Sequence, residues 1–392
     1  MIETVKLGDV ATVKGGKRLP KGTNLITEPN SHPYIRVRDL NNKSTLELNN
    51  DFEYVDDETQ KSIARYIVGA GDIVLSIVGT IGLVAIVGES LHKANLTENC
   101  VKLTQLDGVD RDYLYYYLKS DLGQAEIAKG TVGAVQAKLP IKNIQDIDIV
   151  LPDISTQQKI SSILRSIDDK IENNQKINDN LQQQAFALFD KLLTTEHPES
   201  CSLSEIAELN PKRSLAKNEM ARYIDMAQLS TSGSFPNGWE IKPYNGGMRF
   251  KNGDTLLARI TPCLENGKTA YIDFLDTNEV AFGSTEYVVM CSQGQYPSEF
   301  FYCLARYPSF VDYAVKNMNG SSGRQRVSAE TIGKYSLPQL TDDELSEFRD
   351  VVPVLFSTMR LNSLENIRLS ELRDALLPKL MSGEIDVSDI QL

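Results

Sequence analysis

From Ile160 the chain places a seam residue every three or four positions: Ile160, Leu164, Ile167, Ile171, Asn174, Asn178, Leu181, Ala185, Leu188 and Leu192. A second run repeats the step through Leu345, Phe348, Val352, Leu355, Met359, Asn362, Asn366, Leu369, Arg373, Leu376 and Leu380. A seam of this period predicts long helices that pair with each other, because a helix that only covers a sheet seldom keeps a 3.5-residue repeat so long. Glycine is absent from Pro152 to Pro198 and from Pro338 until Gly383, which leaves both runs unbroken. If residues 156–193 are one helix it is about 57 Å long at 1.5 Å per residue. Pro353 predicts a kink or a restart early in the second helix. Asn174/Asn178 and Asn362/Asn366 occupy equivalent seam positions, where polar groups sacrifice stability but fix register.

Outside these runs the pattern is different. Short β-branched segments alternate with glycine turns, as in Tyr66–Leu75 and Thr269–Phe274, and each half holds one aromatic helix-like stretch, Asp112–Leu118 and Ser298–Leu304. Five segments recur in the same order. Val5-Lys-Leu-Gly-Asp-Val-Ala11 is echoed by Cys201-Ser-Leu-Ser-Glu-Ile-Ala207, and Tyr34–Leu40 by Tyr223–Leu229. Gly71-Asp-Ile-Val-Leu-Ser76 matches Gly253-Asp-Thr-Leu-Leu-Ala258, Leu151-Pro152 matches Leu337-Pro338, and Ala187–Leu192 matches Ala375–Leu380. Five matches in register mark a duplication. The reading is an α+β chain, a tandem pseudo-two-fold repeat. A β-rich domain (1–152) leads into a central helix (153–197), and a second β-rich domain (198–340) leads into a C-terminal helix and tail (341–392).

The remaining chemistry is mostly exclusion. Five cysteines, none in a Cys-x-x-Cys pair, point to free thiols in a reducing compartment. The first residues lack a signal-peptide pattern, and the apolar stretch Ile73–Val87 is too broken by glycine to span a membrane, so a cytoplasmic location is expected. The three histidines (His32, His92, His197) are scattered, and no metal site is expected. Gly267-Lys268-Thr269 resembles the end of a phosphate loop, but Pro262 stands where its leading glycine belongs. Gly79-Thr-Ile-Gly82 reads as a tight turn, and Asn210-Pro211-Lys212 is the nearest approach to an adenine-holding methyltransferase motif. The chain is expected to catalyse nothing alone.

A net charge of -12 argues against a protein that coats nucleic acid. Resolved by segment, however, residues 153–197 and 341–392 carry -8 of it, and the two β-rich domains only -3 and -1. Near-neutral domains can present local basic faces. Lys17 and Arg18 sit in a glycine-flanked basic turn, and Arg36 and Arg38 are expected two apart on a strand, on one face. Lys212 and Arg213 follow the equivalent first strand of the second repeat. The sharpest cluster is Asn319-Gly-Ser321-Ser322-Gly-Arg324-Gln325-Arg326, which offers guanidinium forks for guanine, an amide for adenine and hydroxyls for phosphate. Its counterpart is Gly130–Lys138, with Gln136 and Lys138.

With these residues in view, the chain resembles the specificity (S) subunit of type I restriction-modification enzymes over its whole length. The marks are Gln157-Gln-Lys-Ile160 at the head of the first helix, the Gly-Asp-Ile-Val-Leu strand, and above all Leu376-Leu-Pro-Lys-Leu-Met-Ser-Gly-Glu-Ile385. The resemblance implies two target-recognition domains, each reading one half of a bipartite double-stranded DNA sequence, separated by two antiparallel coiled-coil helices that set the spacer. It implies docking of two methyltransferase (M) subunits, with restriction/translocase (R) subunits beyond them and no membrane partner. It implies no cofactor in this chain, since S-adenosylmethionine, ATP and Mg belong to those partners. It also implies that Gly383–Val387 returns near Val5–Leu7. A free-standing two-domain DNA-binding adaptor without methyltransferase partners is the alternative.

Overall fold

A computed structural model describes residues 3–40, 44–133, 135–195, 199–321 and 323–390. They fall into two compact units, one within Met1–Asp169 and Ser370–Leu392, the other within Lys170–Leu369. The architecture is α+β, and each unit builds a related arrangement of one paired strand couple and two sheets that differ in strand number. In the first, Glu3–Lys6 pairs antiparallel with Asp148–Leu151. A five-stranded sheet runs Thr12–Gly15, Cys100–Thr104, Ile73–Ser76, Val84–Val87 and Thr45–Leu46, and a three-stranded one runs Glu53–Tyr54, Pro33–Ile35 and Asn95–Leu96. In the second, Ser200–Ser202 pairs with Ser336–Pro338. One four-stranded sheet runs Ala207–Leu209, Tyr287–Ser292, Thr255–Ala258 and Thr269–Tyr271, and the other runs Glu240–Pro243, Met220–Ile224, Ala281–Gly283 and Met248–Phe250. Even the parallel pairing recurs, Tyr34 with Asn95 and Tyr223 with Phe282.

The repeated Gly-Asp pair acquires a physical reason. Gly71 and Gly253 turn the chain at φ +84° and +88°, a conformation that favours glycine. The following aspartate then accepts the backbone N–H three residues earlier, Gly69 to Asp72 and Lys251 to Asp254, each at 2.8 Å. A cation meets each carboxylate: Lys102 lies 3.1 Å from Asp72, and Arg213 lies 2.7 Å from Asp254.

The two periodic runs are helices Ile154–Thr194 and Asp342–Met381. Asp153 opens the first by accepting the Thr156 N–H at 3.1 Å. Thr341 and Glu344 open the second reciprocally, at 2.7 and 3.3 Å. The restart anticipated at Pro353 does not occur, since the helix runs through it. Val352 and Phe356, both buried, anchor that turn to the core and hold it despite the missing N–H.

In each unit the helices both pair with one another and cover the β-rich domain. The first unit's largest core joins Ile160, Leu164, Leu380, Met381 and Val387 to Leu7 and to Tyr113–Leu118 of the helix Arg111–Lys119. The second unit's core joins Ala185, Phe189, Leu345, Phe348, Val352, Phe356 and Met359 to Phe300–Leu304 of the helix Ser298–Arg306. Phe189 and Phe356, each 1% exposed, lie outside the heptad seam and form the stripe that faces the aromatic helix. The tail belongs to the first unit: Val5 and Ile385 pack on the core that holds Leu7 and Val387, and Lys159 Nζ donates to the Ser388 carbonyl at 2.6 Å.

Candidate nucleic-acid interface

Two loops, one per unit, share a backbone frame. In the first unit Val132 and Lys138 exchange both backbone hydrogen bonds at 2.9 Å, and the Leu139 N–H donates to the Ile77 carbonyl at 3.0 Å. In the second, Asn319 and Arg326 make the same exchange at 2.9 Å, and the Val327 N–H donates to the Arg259 carbonyl at 3.0 Å. Bridges Val78–Lys138 and Ile260–Arg326 complete the match. A glycine is needed at the same point of each. Gly133 (φ +98°) and Gly320 (φ +132°) would carry a Cβ only 2.7 and 3.0 Å from the carbonyls of Gln136 and Arg324. What differs is the side chains presented. The first loop exposes Val135, Gln136, Ala137 and Lys138, with Val135 at 102% relative exposure; the second exposes Ser321, Gly323 and Arg324. Ser322 lies outside the described residues.

The stem of the second loop is held from both sides. Thr261 donates its N–H to the Gln325 carbonyl at 3.1 Å, and its Oγ1 accepts the Gln325 N–H at 3.1 Å. Arg326 donates from Nε and Nη2 to the Glu286 carboxylate at 2.7–3.0 Å, and from Nη1 to the Arg324 carbonyl at 3.1 Å. That bidentate contact holds the Glu286 carboxyl below the usual carboxylate range. Thr261 and Glu286 escaped the sequence reading, since nothing local ties a carboxylate to a loop 40 residues on.

Elsewhere the predicted cations divide. Lys17 is exposed, its ammonium 5.5 Å from the Tyr66 ring centre, and its carbonyl is pinned by the Tyr34 hydroxyl at 2.8 Å. Arg18 is exposed and donates to Glu98 at 2.7 Å. Arg36 and Arg38 are not on a strand: the strand ends at Ile35, and Val37–Asp39 forms a 3₁₀ turn that Asp39 closes by accepting the Arg36 N–H at 2.7 Å. The Arg36 guanidinium pairs with Glu53, and Arg38 lies 3.4 Å from Glu53 and 3.7 Å from Asp39. Burial pushes the Asp39 carboxyl up to about 6, with Arg38 opposing. Arg36 is thus largely enclosed, and Arg38 is the one that faces solvent. Lys212 is exposed, whereas Arg213 turns inward to Asp254 at 2.7 and 3.0 Å and to Cys291 Sγ at 3.4 Å. It belongs to the Gly-Asp turn and not to a ligand surface.

The seam asparagines meet in the second unit. Asn174 donates to Asn366 at 2.9 Å and to Glu365 at 2.7 Å, and Asn362 donates to Asn178 at 2.9 Å. Asn178 also reaches Ser363 Oγ, and Asn366 the Ile171 carbonyl. With Lys191 paired to Glu347, partners rise on one helix as they fall on the other, so the helices run antiparallel there. Sliding either helix would separate every one of these amides from its partner. Among the described residues no acidic, cysteine or histidine cluster could hold a metal, and no helix is long and apolar enough to cross a membrane.

Residues 2–183 match the family described as the type I restriction modification DNA specificity domain. The chain is similar to the type I restriction enzyme MjaIX specificity subunit of Methanocaldococcus jannaschii, 24% identical across 91% of this chain and 88% of that one. It is also similar to the HindI specificity subunit of Haemophilus influenzae, 25% identical across 63% of this chain and 71% of that one. In fold it matches the crystal structure of a type I restriction-modification system S subunit from M. genitalium, with a TM-score of 0.61 and 16% identity across 97% and 96% of the two chains.

Proposed function

The chain belongs to the specificity subunits of type I restriction-modification enzymes, and from that premise we propose that each β-rich domain reads one half of a bipartite double-stranded DNA target. The observation that carries this reading is the pair of loops with one backbone frame and different side chains. A duplicated frame presents a groove-reading element twice, and the differing side chains let the two halves of the target differ. In the second loop Arg324 offers a fork for guanine, Gln325 an amide for adenine, and Ser321 and Ser322 hydroxyls for phosphate. In the first, Gln136 offers the amide, Val135 an apolar surface for a thymine methyl, and Lys138 a phosphate contact. Lys17, Arg18, Arg38 and Lys212, exposed on their domains, supply non-specific attraction.

The helices take the roles of spacer and docking surface, with the asparagines fixing their register. Their excess acid repels phosphate and suits protein partners, and Val351, Val354 and Leu361 stand exposed on the C-terminal helix at 38%, 62% and 59%. These apolar residues are where a methyltransferase subunit docks. S-adenosylmethionine, ATP and Mg act on the methyltransferase and restriction subunits, and this chain transfers no methyl group itself. Val354→Glu is expected to weaken capture of the methyltransferase subunit at least tenfold while leaving the unfolding midpoint in place. Undiminished capture would remove this face from the docking surface, and no capture by the unaltered chain would favour a free-standing adaptor.

Selection of duplexes from a randomised pool by the full chain tests the central reading. Arg324→Ala is expected to lose about 1–3 kcal/mol of discrimination at one base pair of the second half-site, roughly 5- to 150-fold. Lys212→Ala should weaken all sequences alike. An equal loss on every sequence for Arg324→Ala would demote the loop to a phosphate contact.

A further inference from the structure

We propose that Glu286 is a positioning residue that withholds Arg326 from DNA and leaves base reading by the second loop to Arg324 and Gln325. This rests on the DNA-reading role above and assigns work within the loop. All three nitrogens of the Arg326 guanidinium are engaged within the protein: Nε and Nη2 on the two Glu286 oxygens, and Nη1 on the Arg324 carbonyl. To fork onto a guanine, Arg326 would have to abandon a bidentate carboxylate, the strongest pairing a guanidinium makes. Arg259 lies 3.6 Å from the same carboxylate on a neighbouring segment, so Glu286 gathers two cations at the base of the loop. The backbone reinforces the arrangement, with the Arg259 N–H donating to the Glu286 carbonyl and the Val327 N–H to the Arg259 carbonyl, both at 3.0 Å. Arg324, two residues earlier, is exposed, and its own carbonyl is what Arg326 holds. The locked arginine therefore aims the exposed one.

The first unit supplies the contrast. There the Ile77 N–H donates to the Asn99 carbonyl at 2.8 Å, repeating the Arg259-to-Glu286 bond, so Asn99 occupies the position of Glu286 and Lys138 that of Arg326. Asn99 carries no charge, and Lys138 is exposed. The same frame thus frees the stem cation in one domain and locks it in the other. The first domain is left to draw part of its grip from Lys138, while the second spends its stem cation on geometry.

Replacing Glu286 with the first unit's residue tests this, using the full chain and duplexes selected from a randomised pool. Glu286→Asn frees Arg326 for phosphate. Non-specific duplex is then expected to bind several-fold more tightly, and the plot of log affinity against log salt to steepen by about 0.9. Preference for the selected second half-site should fall about tenfold, with the first half-site unaffected. Glu286→Asp, which keeps the charge, should retain most of the preference, and Arg326→Ala added to Glu286→Asn should restore the original slope. A merely structural Glu286 would instead lower binding to all duplexes without steepening the slope, and that result, or an unchanged preference, overturns the proposal. An unaltered chain that enriches no sequence would overturn the DNA-reading role itself, a different failure from selective binding that Glu286→Asn leaves intact.

Discussion

Asp168→Ala is expected to destabilise the first unit by about 3 kcal/mol, the lower end of the cost of breaking a buried ion pair. Asp168 is 4% exposed on the central helix, and both its oxygens are used. Oδ2 accepts the Tyr116 hydroxyl at 2.7 Å, and Oδ1 accepts Arg373 Nη1 at 2.8 Å from the C-terminal helix. Burial, with Asp168 adding to it, pushes the Tyr116 hydroxyl far above its ordinary range, so the phenol stays neutral and donates. Truncation strands a buried hydroxyl and a guanidinium that keeps only Asp374, on the exposed side. The loss stays at the lower end for that reason. Urea unfolding should show the shift, and limited proteolysis should show earlier cleavage within residues 370–390, which Arg373 helps tie to this unit. Asp168→Asn, which keeps one acceptor, should recover part of the loss. An unchanged midpoint for Asp168→Ala would mean that the aromatic core of Tyr113–Leu118, Leu380 and Met381 holds the segment without the pair.

The long helices were legible because a 3.5-residue period sustained over ten seam positions has few other solutions, and the asparagines were legible because they interrupt it at equivalent places. The seam told only half the contact, however. Phe189 and Phe356 fall off the heptad and are read as core only once the aromatic helix is in place beside them. The Gly-Asp and Leu-Pro repeats located the strands, but runs of two to six residues could not show where each one stops. Arg36 and Arg38 illustrate the cost: the strand ends one residue before Arg36, and the alternation argument fails with it. Cationic residues were legible as charges but not as free charges. Whether an arginine faces solvent depends on carboxylates distant in sequence, Glu53 for Arg36, Asp254 for Arg213 and Glu286 for Arg326. The loop frames could be inferred from their glycines, and the lock beneath one of them could not.

Arg213→Ala separates fold from recognition most sharply. Asp254 is fully buried at 0% exposure, and besides Arg213 its carboxylate has only neutral donors, the Lys251 N–H at 2.8 Å and the Cys291 thiol. Without Arg213 a carboxylate stays in the core with no cation, which costs about 3–5 kcal/mol. The pH dependence fixes the cause. Burial pushes the Asp254 carboxyl above its ordinary range, while the Lys251 N–H and Arg213 pull it down, so removing Arg213 raises it further. A carboxyl whose folded-state value exceeds its unfolded one binds its proton more tightly in the native state. The stability it lends is therefore present at low pH and is lost as pH rises through the folded value. The Arg213→Ala deficit should accordingly be larger at pH 8 than at pH 5, and Asp254→Asn in the same background should recover part of it by removing the stranded charge. Where the variant is still folded, its preference among duplexes should match that of the unaltered chain, because Arg213 is spent on the turn that carries strand Thr255–Ala258. A variant with full stability and weakened DNA binding would return Arg213 to the surface, and with it the plain reading of Lys212-Arg213 as a basic patch.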